Sequence, residues 1–327
     1  MTINEIAKLA GVSAASVSRY LNNGYLSQEK RERIAKVIAE TGYTPSSQAQ
    51  MLRTKKTKLI GVIIPKIDSS SISQVVAGIS ELLSANGYQM LLANTENNTK
   101  KEIDYIRIFS QNMVDGIILL GTELTAMHIS LLKELPIPVI ILGQYSADFS
   151  CIYHDDYAAA KAMTSLFIKK GYRQIAYIGV PENDKAVGYN RKQGFLDALK
   201  QVGLSVLDEH LFCGDFTIAN GYINAYHLTE KTPRPDAILC ATDTIAFGVM
   251  KALHEQHYSI PMDYGIAGFG DSAPSSILSP GITTVHFFYR ESGVEGAKAL
   301  LSLIEAKTPA RFEKKLSFTL IERESLK

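Results

Sequence analysis

From Lys58 onward the chain alternates between short apolar runs and longer amphipathic stretches. The apolar runs Leu59–Ile64, Gln89–Ala93, Gly116–Leu120, Val139–Leu142, Gln174–Ile178, Ala237–Cys240 and Gly265–Phe269 have the length of strands. Between them, about 72–86, 99–112, 156–171, 187–203, 219–229 and 243–256, apolar residues recur at helical spacing. Strands separated by helices pair in parallel, because a parallel neighbour needs a crossover of a dozen or more residues. Two such series, one on either side of about residue 157, predict two doubly wound α/β subdomains. There is no internal repeat and no low-complexity segment.

Length and composition narrow the class. A chain of 327 residues with 46% hydrophobic content holds enough apolar material for two or three packing units. No run approaches the ~20 apolar residues that span a bilayer, so no membrane partner is expected. Met1-Thr2-Ile3-Asn4-Glu5 lacks the basic and apolar regions of a secretory signal, which points to the cytoplasm. Cys151, Cys213 and Cys240 form no CxxC and have no histidine pair at ligand spacing, against a disulfide frame or a zinc site. Neither a GxxxxGK[ST] phosphate loop nor a GxSxG elbow occurs, and Gly265–Gly270 has the wrong spacing for a dinucleotide fingerprint. His154-Asp155-Asp156 reads as a strand end followed by a helix that Asp155 or Asp156 caps. The expectation is a protein that is not an enzyme and needs no metal or cofactor.

The net charge of +1 seems to deny a nucleic-acid partner, but it is a sum of unlike parts. Residues 1–58 hold ten Lys/Arg against four acids, a local charge of +6, while the remainder holds 24 against 29, or −5. Charge asymmetry of this kind marks nucleic-acid interaction.

The basic segment also has a pattern. Thr2 with Glu5 makes a capping box for a helix over 3–10, with Ile6, Leu9 and Ala10 as its apolar stripe. Gly11-Val12-Ser13 makes a tight turn, and Ser13 caps a second helix over about 14–21. That helix turns Val17, Tyr20 and Leu21 inward and Ala14, Ala15, Ser16, Ser18 and Arg19 outward. A third helix follows Ser27, with Ile34, Val37 and Ile38 on one face. Two short helices joined by a glycine-containing turn form a helix-turn-helix, whose second helix enters the major groove. Arg19 on that helix can donate bidentately to guanine O6/N7, worth about 1–3 kcal/mol of base discrimination. Ser13, Ser16, Ser18 and Asn22 suit phosphate contacts.

Ile6-Ala7-Lys8-Leu9-Ala10-Gly11-Val12-Ser13, followed by Val17-Ser18-Arg19-Tyr20-Leu21-Asn22, resembles the headpiece of the lactose/galactose-repressor (LacI/GalR) family of transcription regulators. Gly42-Tyr43-Thr44-Pro45 and Ala49-Gln50-Met51-Leu52 resemble its hinge. The resemblance implies a DNA surface of Thr2, Ser13, Ala14, Ala15, Ser16, Ser18, Arg19, Asn22 and Tyr43, with a hinge at about 45–57. Ala14 and Ala15 stand where the family often carries larger base readers. Within the hinge it implies that Leu52 wedges into a base step with Ala49 beside it, and that Arg53 contacts phosphate. The other reading of Leu52 is an ordinary core leucine.

For the rest, the resemblance implies a core of periplasmic-binding-protein type I over 58–327, behind a headpiece of 1–57. Its N-subdomain would take about 58–157 and 287–313, and its C-subdomain about 158–286 and 314–327. A sugar or sugar phosphate would bind between them, with Ile72, Arg191, Phe216 and Thr242 as pocket residues carried over from the family and Gln144, Asp271 and Tyr289 as further candidates. Arg191 with Asp271 would supply paired donors and acceptors for hydroxyls, although a glycine, Gly270, replaces the first aspartate of many sugar-binding members. Phe216 as plain core, and Asp243 as a helix cap, are the blander readings. A regulator of this kind reads a pseudo-palindromic operator in double-stranded DNA as a homodimer, and the short C-terminus argues against a tetramer. The rivals are a sugar-binding protein of a transporter or the cytosol, or an α/β enzyme on the same bilobal core.

Overall fold

The computed structural model describes residues 1–43, 56–111, 114–306 and 310–327. The chain forms two compact units, 1–57 and 58–327.

The first unit is helical: α1 (Ile3–Ala10), α2 (Ala14–Leu21) and α3 (Gln28–Thr41). The capping box is formed, with Thr2 Oγ1 accepting from the Glu5 amide and Glu5 Oε2 accepting from the Thr2 amide. Gly11 ends α1 in the left-handed region at φ 60°, where a side chain would be strained. Ile6, Ala7, Ala10, Val17, Ile34 and Tyr43 make a small core. The apolar stripe of α1 is therefore rotated from the expected one. Ala7 is buried and Leu9 is 60% exposed, because α2 and α3 cover an arc centred on Ala10 that Leu9 lies outside.

The second unit holds two sheets of six described strands. The first runs β2 (Gln89–Asn94), β1 (Leu59–Ile64), β3 (Gly116–Leu119), β4 (Val139–Leu142), β5 (Ser150–His154) and β11 (Glu313–Leu316), all parallel. The second runs β7 (Leu211–Cys213), β6 (Ile175–Gly179), β8 (Ala237–Cys240), β9 (Gly265–Phe269), β10 (Thr283–Phe287) and β12 (Phe318–Ile321), with β12 alone antiparallel. Pleating sends Ile60, Val62 and Ile64 into one apolar cluster and Ile63 into another on the opposite face. Both faces of the sheet are thus buried, which is why its strands read as continuous apolar runs.

Helices cover the sheets. The first lobe carries α4 (Ser70–Ala85), α5 (Thr99–Ser110), α6 (Ala126–Glu134) and α12 (Tyr289–Glu305). The second carries α7 (Asp156–Lys169), α8 (Arg191–Gln201), α9 (Ile218–Thr229), α10 (Asp243–Glu255) and the short α11 (Ala273–Ile277). The chain passes between lobes after β5, after β10 and at Ser317, between β11 and β12. The expected boundary at 313/314 falls inside β11, whose pairing with β5 keeps it in the first sheet.

Where expectation and structure differ, the cause is local. The helix expected over 187–203 begins as a π-helical turn, Lys185–Asn190, before becoming α8. The strand end read at His154 is that of β5, whereas β7, β10 and β11 are too short or polar to show as apolar runs, as with the fully buried Thr283 and Thr284 of β10. Helix α12 was hidden by Gly293 and Gly296, which break its apolar period. Gly293 is required by packing. A Cβ there would lie 2.1 Å from the Val75 carbonyl oxygen of α4, and one on Gly78 would lie 2.1 Å from that of Arg290.

Alanine ordinarily gains up to ~1 kcal/mol over glycine inside a helix. At Gly78 and Gly293 the sign is expected to reverse. Each Gly→Ala change should lower stability by about 1–3 kcal/mol through overpacking, read as a lower urea midpoint at unchanged slope.

Candidate functional site

In the first unit α2 presents Arg19, which is exposed and makes no ion pair with any described residue. The loop after α2 folds back onto it, with the Gly24 amide donating to the Arg19 carbonyl at 2.7 Å. Two other bases serve the fold. Arg31 donates to the Gly24 carbonyl, and Arg33 to that of Gly11. Thr2, Ser13, Ala15 and Asn22 are exposed, while Ser18 and Ala14 are partly covered. Ser16 is a correction. It is 6% exposed, and its hydroxyl pairs with that of Ser13 at 3.0 Å, so it stiffens the turn instead of facing outward. Tyr43 is likewise buried against the headpiece core. Ala49, Leu52 and Arg53, with the hinge at 45–55, lie outside the described residues.

In the second unit a cavity of about 320 Å³ lies between the lobes. It is built from segments that follow strands: Pro65 after β1, Asn97 after β2 and Thr122 after β3 from one lobe, and Asp184 after β6, Phe216 after β7 and Thr242 after β8 from the other. Ligand sites of open parallel sheets lie outside the carboxyl ends of their strands. Ile72, Arg191, Phe216, Thr242 and Tyr289 all line this cavity.

Gln144 and Asp271 do not. Asp271 sits at φ 48° after Gly270, which turns its carboxylate away to Arg323 at 2.6 Å and His286 at 2.9 Å. The expected pairing of Arg191 with Asp271 is therefore absent. Arg191 is instead buried against Asp156, with Nε and Nη2 each 2.7 Å from Oδ1, and Nη1 donates to the Ala241 carbonyl. Its guanidinium also lies 4.7 Å from the centre of the Phe269 ring. Removing one member of such a buried pair commonly costs 3–5 kcal/mol, since the other charge is left without water.

Asp155 caps α7, accepting from the Ala158 amide at 3.1 Å, as expected of that segment. The cap of α10 is Thr242, not Asp243. Asp243 is 3% exposed and ties three segments together, accepting from Thr284 Oγ1 at 2.6 Å, Ser275 Oγ at 2.7 Å and the Ser272 amide at 3.0 Å. Burial pushes its carboxyl above the ordinary range. Sequence reasoning missed Asp184 and Phe247 on the cavity wall. Asp184 was findable from its place just after β6; Phe247 belongs to a helix and carries no such signal.

The profile for bacterial regulatory proteins of the lacI family matches residues 2–46. The profile for periplasmic binding proteins and the sugar-binding domain of the LacI family matches residues 57–322. The chain belongs to the lacI family of bacterial regulatory proteins. It is a DNA-binding transcriptional regulator with an effector-binding core of that family. It is 33% identical over 303 residues to the sucrose operon repressor of Staphylococcus xylosus, covering 93% of each chain. Among solved structures it matches a transcriptional regulator CelR–cellobiose complex at 25% identity, with a TM-score of 0.77 and 99% of each chain covered. A lac repressor dimer bound to operator and anti-inducer shares the fold at 23% identity, with a TM-score of 0.91 over 100% of this chain and 99% of that one. Among the described residues no helix is long and apolar enough to cross a membrane, and no group of three or more metal-ligating side chains occurs.

The passage between lobes beside the cavity has its own pH dependence. His154, at the end of β5, packs against Phe287 and Tyr289, and burial lowers its pKa to about 4. An unfolded imidazole takes a proton near pH 6.5, while the folded one stays neutral, so acid favours the unfolded chain. Stability contributed by His154 is complete above pH 6.5 and is lost as pH falls toward 4, by about 3 kcal/mol in all. Urea unfolding of His154→Gln between pH 7 and 4.5 should show a shallower fall than the parent. Equal slopes would exclude the imidazole as the cause.

Proposed function

We propose that this regulator is a repressor that binds a pseudo-palindromic operator as a homodimer, and that a small sugar or sugar phosphate in the cavity sets its operator affinity. The observation that carries this reading is a cavity of about 320 Å³, formed by strand ends of both lobes, in a chain that also bears a helix-turn-helix whose exposed Arg19 makes no ion pair with any described residue. Residues 1–57 read DNA and 58–327 bind the effector. Arg19 reads a base, and Thr2, Ser13, Ser18 and Asn22 position the helix on phosphates. Ala14 and Ala15 offer only apolar contact, which leaves the outer operator bases weakly specified. In the cavity, Ile72, Phe216 and Tyr289 supply apolar and aromatic surface, with Arg191 and Thr242 as polar partners.

Sucrose is the first candidate effector, because the Staphylococcus xylosus relative is a sucrose operon repressor. A ligand that prefers one lobe arrangement shifts operator affinity by the coupling between sites, usually about 1–3 kcal/mol, and the coupling is reciprocal. The reading places the protein in the cytoplasm and gives it no catalytic step.

Two measurements test it. Arg19→Ala should abolish the difference between operator and non-specific DNA affinity while leaving sugar binding unchanged; persistent specificity would refute the base-reading role. A thermal-shift screen of sugars and phosphosugars should find a ligand that adds about 2.7 kcal/mol at 100 times its dissociation constant. A screen in which no sugar stabilises the chain would remove the sugar-responsive part of the reading.

A further inference from the structure

Asp184 follows β6 and caps the π-helical turn 185–190, its Oδ1 accepting from the Val187 amide at 2.9 Å. The same Oδ1 accepts from Gln144 Nε2, also at 2.9 Å, and Gln144 belongs to the opposite lobe, just after β4. Gln144 Nε2 also donates to the Thr122 carbonyl of its own lobe at 3.0 Å. Gln144 and Asp184 are each 6% exposed, so this bond crosses the cleft out of reach of bulk water. An exposed pair, Asn183 with Glu123 at 3.0 Å, runs beside it.

The two ends of the bridge differ in one respect. Asp184 lines the cavity and Gln144 does not. Among the described residues both hydrogen bonds that the Asp184 side chain accepts end on Oδ1, and Oδ2 accepts none. The π-helical turn leads directly from Asp184 into α8, whose first residue is Arg191. Gly188 lets that turn press on the Asp184 loop, since a Cβ there would lie 2.0 Å from the Pro181 carbonyl oxygen. Single π-helical turns inserted in helices are frequent at functional sites.

We propose that Asp184 is a specificity residue of the cavity: Oδ2 accepts a hydrogen bond from a ligand hydroxyl while Oδ1 holds the opposite lobe through Gln144. This rests on the cavity being the effector site. A carboxylate at this end rejects an anionic group, so the ligand presents an unphosphorylated hydroxyl here. Burial pushes the Asp184 carboxyl above its ordinary range, which strengthens its preference for a hydrogen-bonding partner. A ligand shifts a conformational equilibrium only through contacts that differ between states. The bridged carboxylate supplies such a contact, because the oxygen that reads the ligand shares Cγ with the oxygen that joins the lobes.

Two variants of the full-length chain separate the halves of the proposal. Asp184→Asn keeps an Oδ1 acceptor for Gln144 and Val187 but turns the other carboxylate oxygen into a donor. Gln144→Leu leaves the carboxylate in place and removes the bridge. Spin labels at Met127→Cys and Val202→Cys, exposed positions on opposite lobes, report the lobe distance with the exposed Cys213 changed to Ser. Without ligand, Gln144→Leu should broaden the distance distribution, and Asp184→Asn should leave it as in the parent. Sucrose, glucose and fructose are then titrated by calorimetry, and Asp184→Asn should weaken whichever binds by tenfold or more. An unchanged distribution in Gln144→Leu overturns the bridge, and parental affinity in Asp184→Asn overturns the reading role. If none of the three sugars binds the parent, the sugar found by the thermal-shift screen is titrated in their place. Parental affinity for it in Asp184→Asn overturns the hydroxyl assignment alone, while a screen without any ligand overturns the sugar-responsive function, and the ligand-free distances decide the bridge in either case.

Discussion

The buried ion pair between Arg191 and Asp156 holds the centre of the larger unit. Asp156 opens α7 immediately after the first passage between lobes, and Arg191 opens α8 after the π-helical turn. Their 2.7 Å contact therefore joins a crossover segment to a cavity wall. A guanidinium with 5% of its side chain exposed has no water to turn to, so its donors must be met by the protein. Asp156 and the Ala241 carbonyl take the contacts described, which aligns β8, α7 and α8 around one point. The arginine that sequence resemblance assigns to the ligand is thus first a structural residue, and whatever it offers to a ligand it offers from a fixed position.

Asp243 organises the neighbouring wall by the same logic. Its two carboxylate oxygens collect a threonine of β10, a serine of α11 and a backbone amide. This explains why Asp243 neither caps its helix nor waits free in the cavity. Thr242 takes the cap, because an N-cap needs extended backbone and a short hydroxyl, and Thr242 has both. The cavity wall beyond these internally committed groups includes serines at the start of α4, aromatic rings from Phe216, Phe247 and Tyr289, and Asp184.

The headpiece shows the opposite economy. Its core is six buried side chains, Tyr43 the largest, and its arginines differ in role: Arg31 and Arg33 brace loops, while Arg19 is exposed. The near-neutral charge of the whole chain conceals this division, since a basic reader and a slightly acidic core cancel in the sum.

Local chemistry made much of this legible in the sequence. The capping box at Thr2, the bounds of α1 and α2, the alternation that builds parallel sheets and the Asp155 cap each depend on residues within a few positions of one another, and such interactions are written in order along the chain. Five of the seven effector-site candidates, Ile72, Arg191, Phe216, Thr242 and Tyr289, do line the cavity, because strand ends place them there. Only the tertiary structure decided the rest. Ser16 and Leu9 exchanged their expected exposure because neighbouring helices chose the covered arc. Asp271 left the cavity for Arg323, 52 residues away, and Gln144 became a bridge to Asp184, 40 residues away. A buried charge or amide is satisfied by whatever partner the fold brings within 3 Å, and no spacing along the chain records which partner that will be.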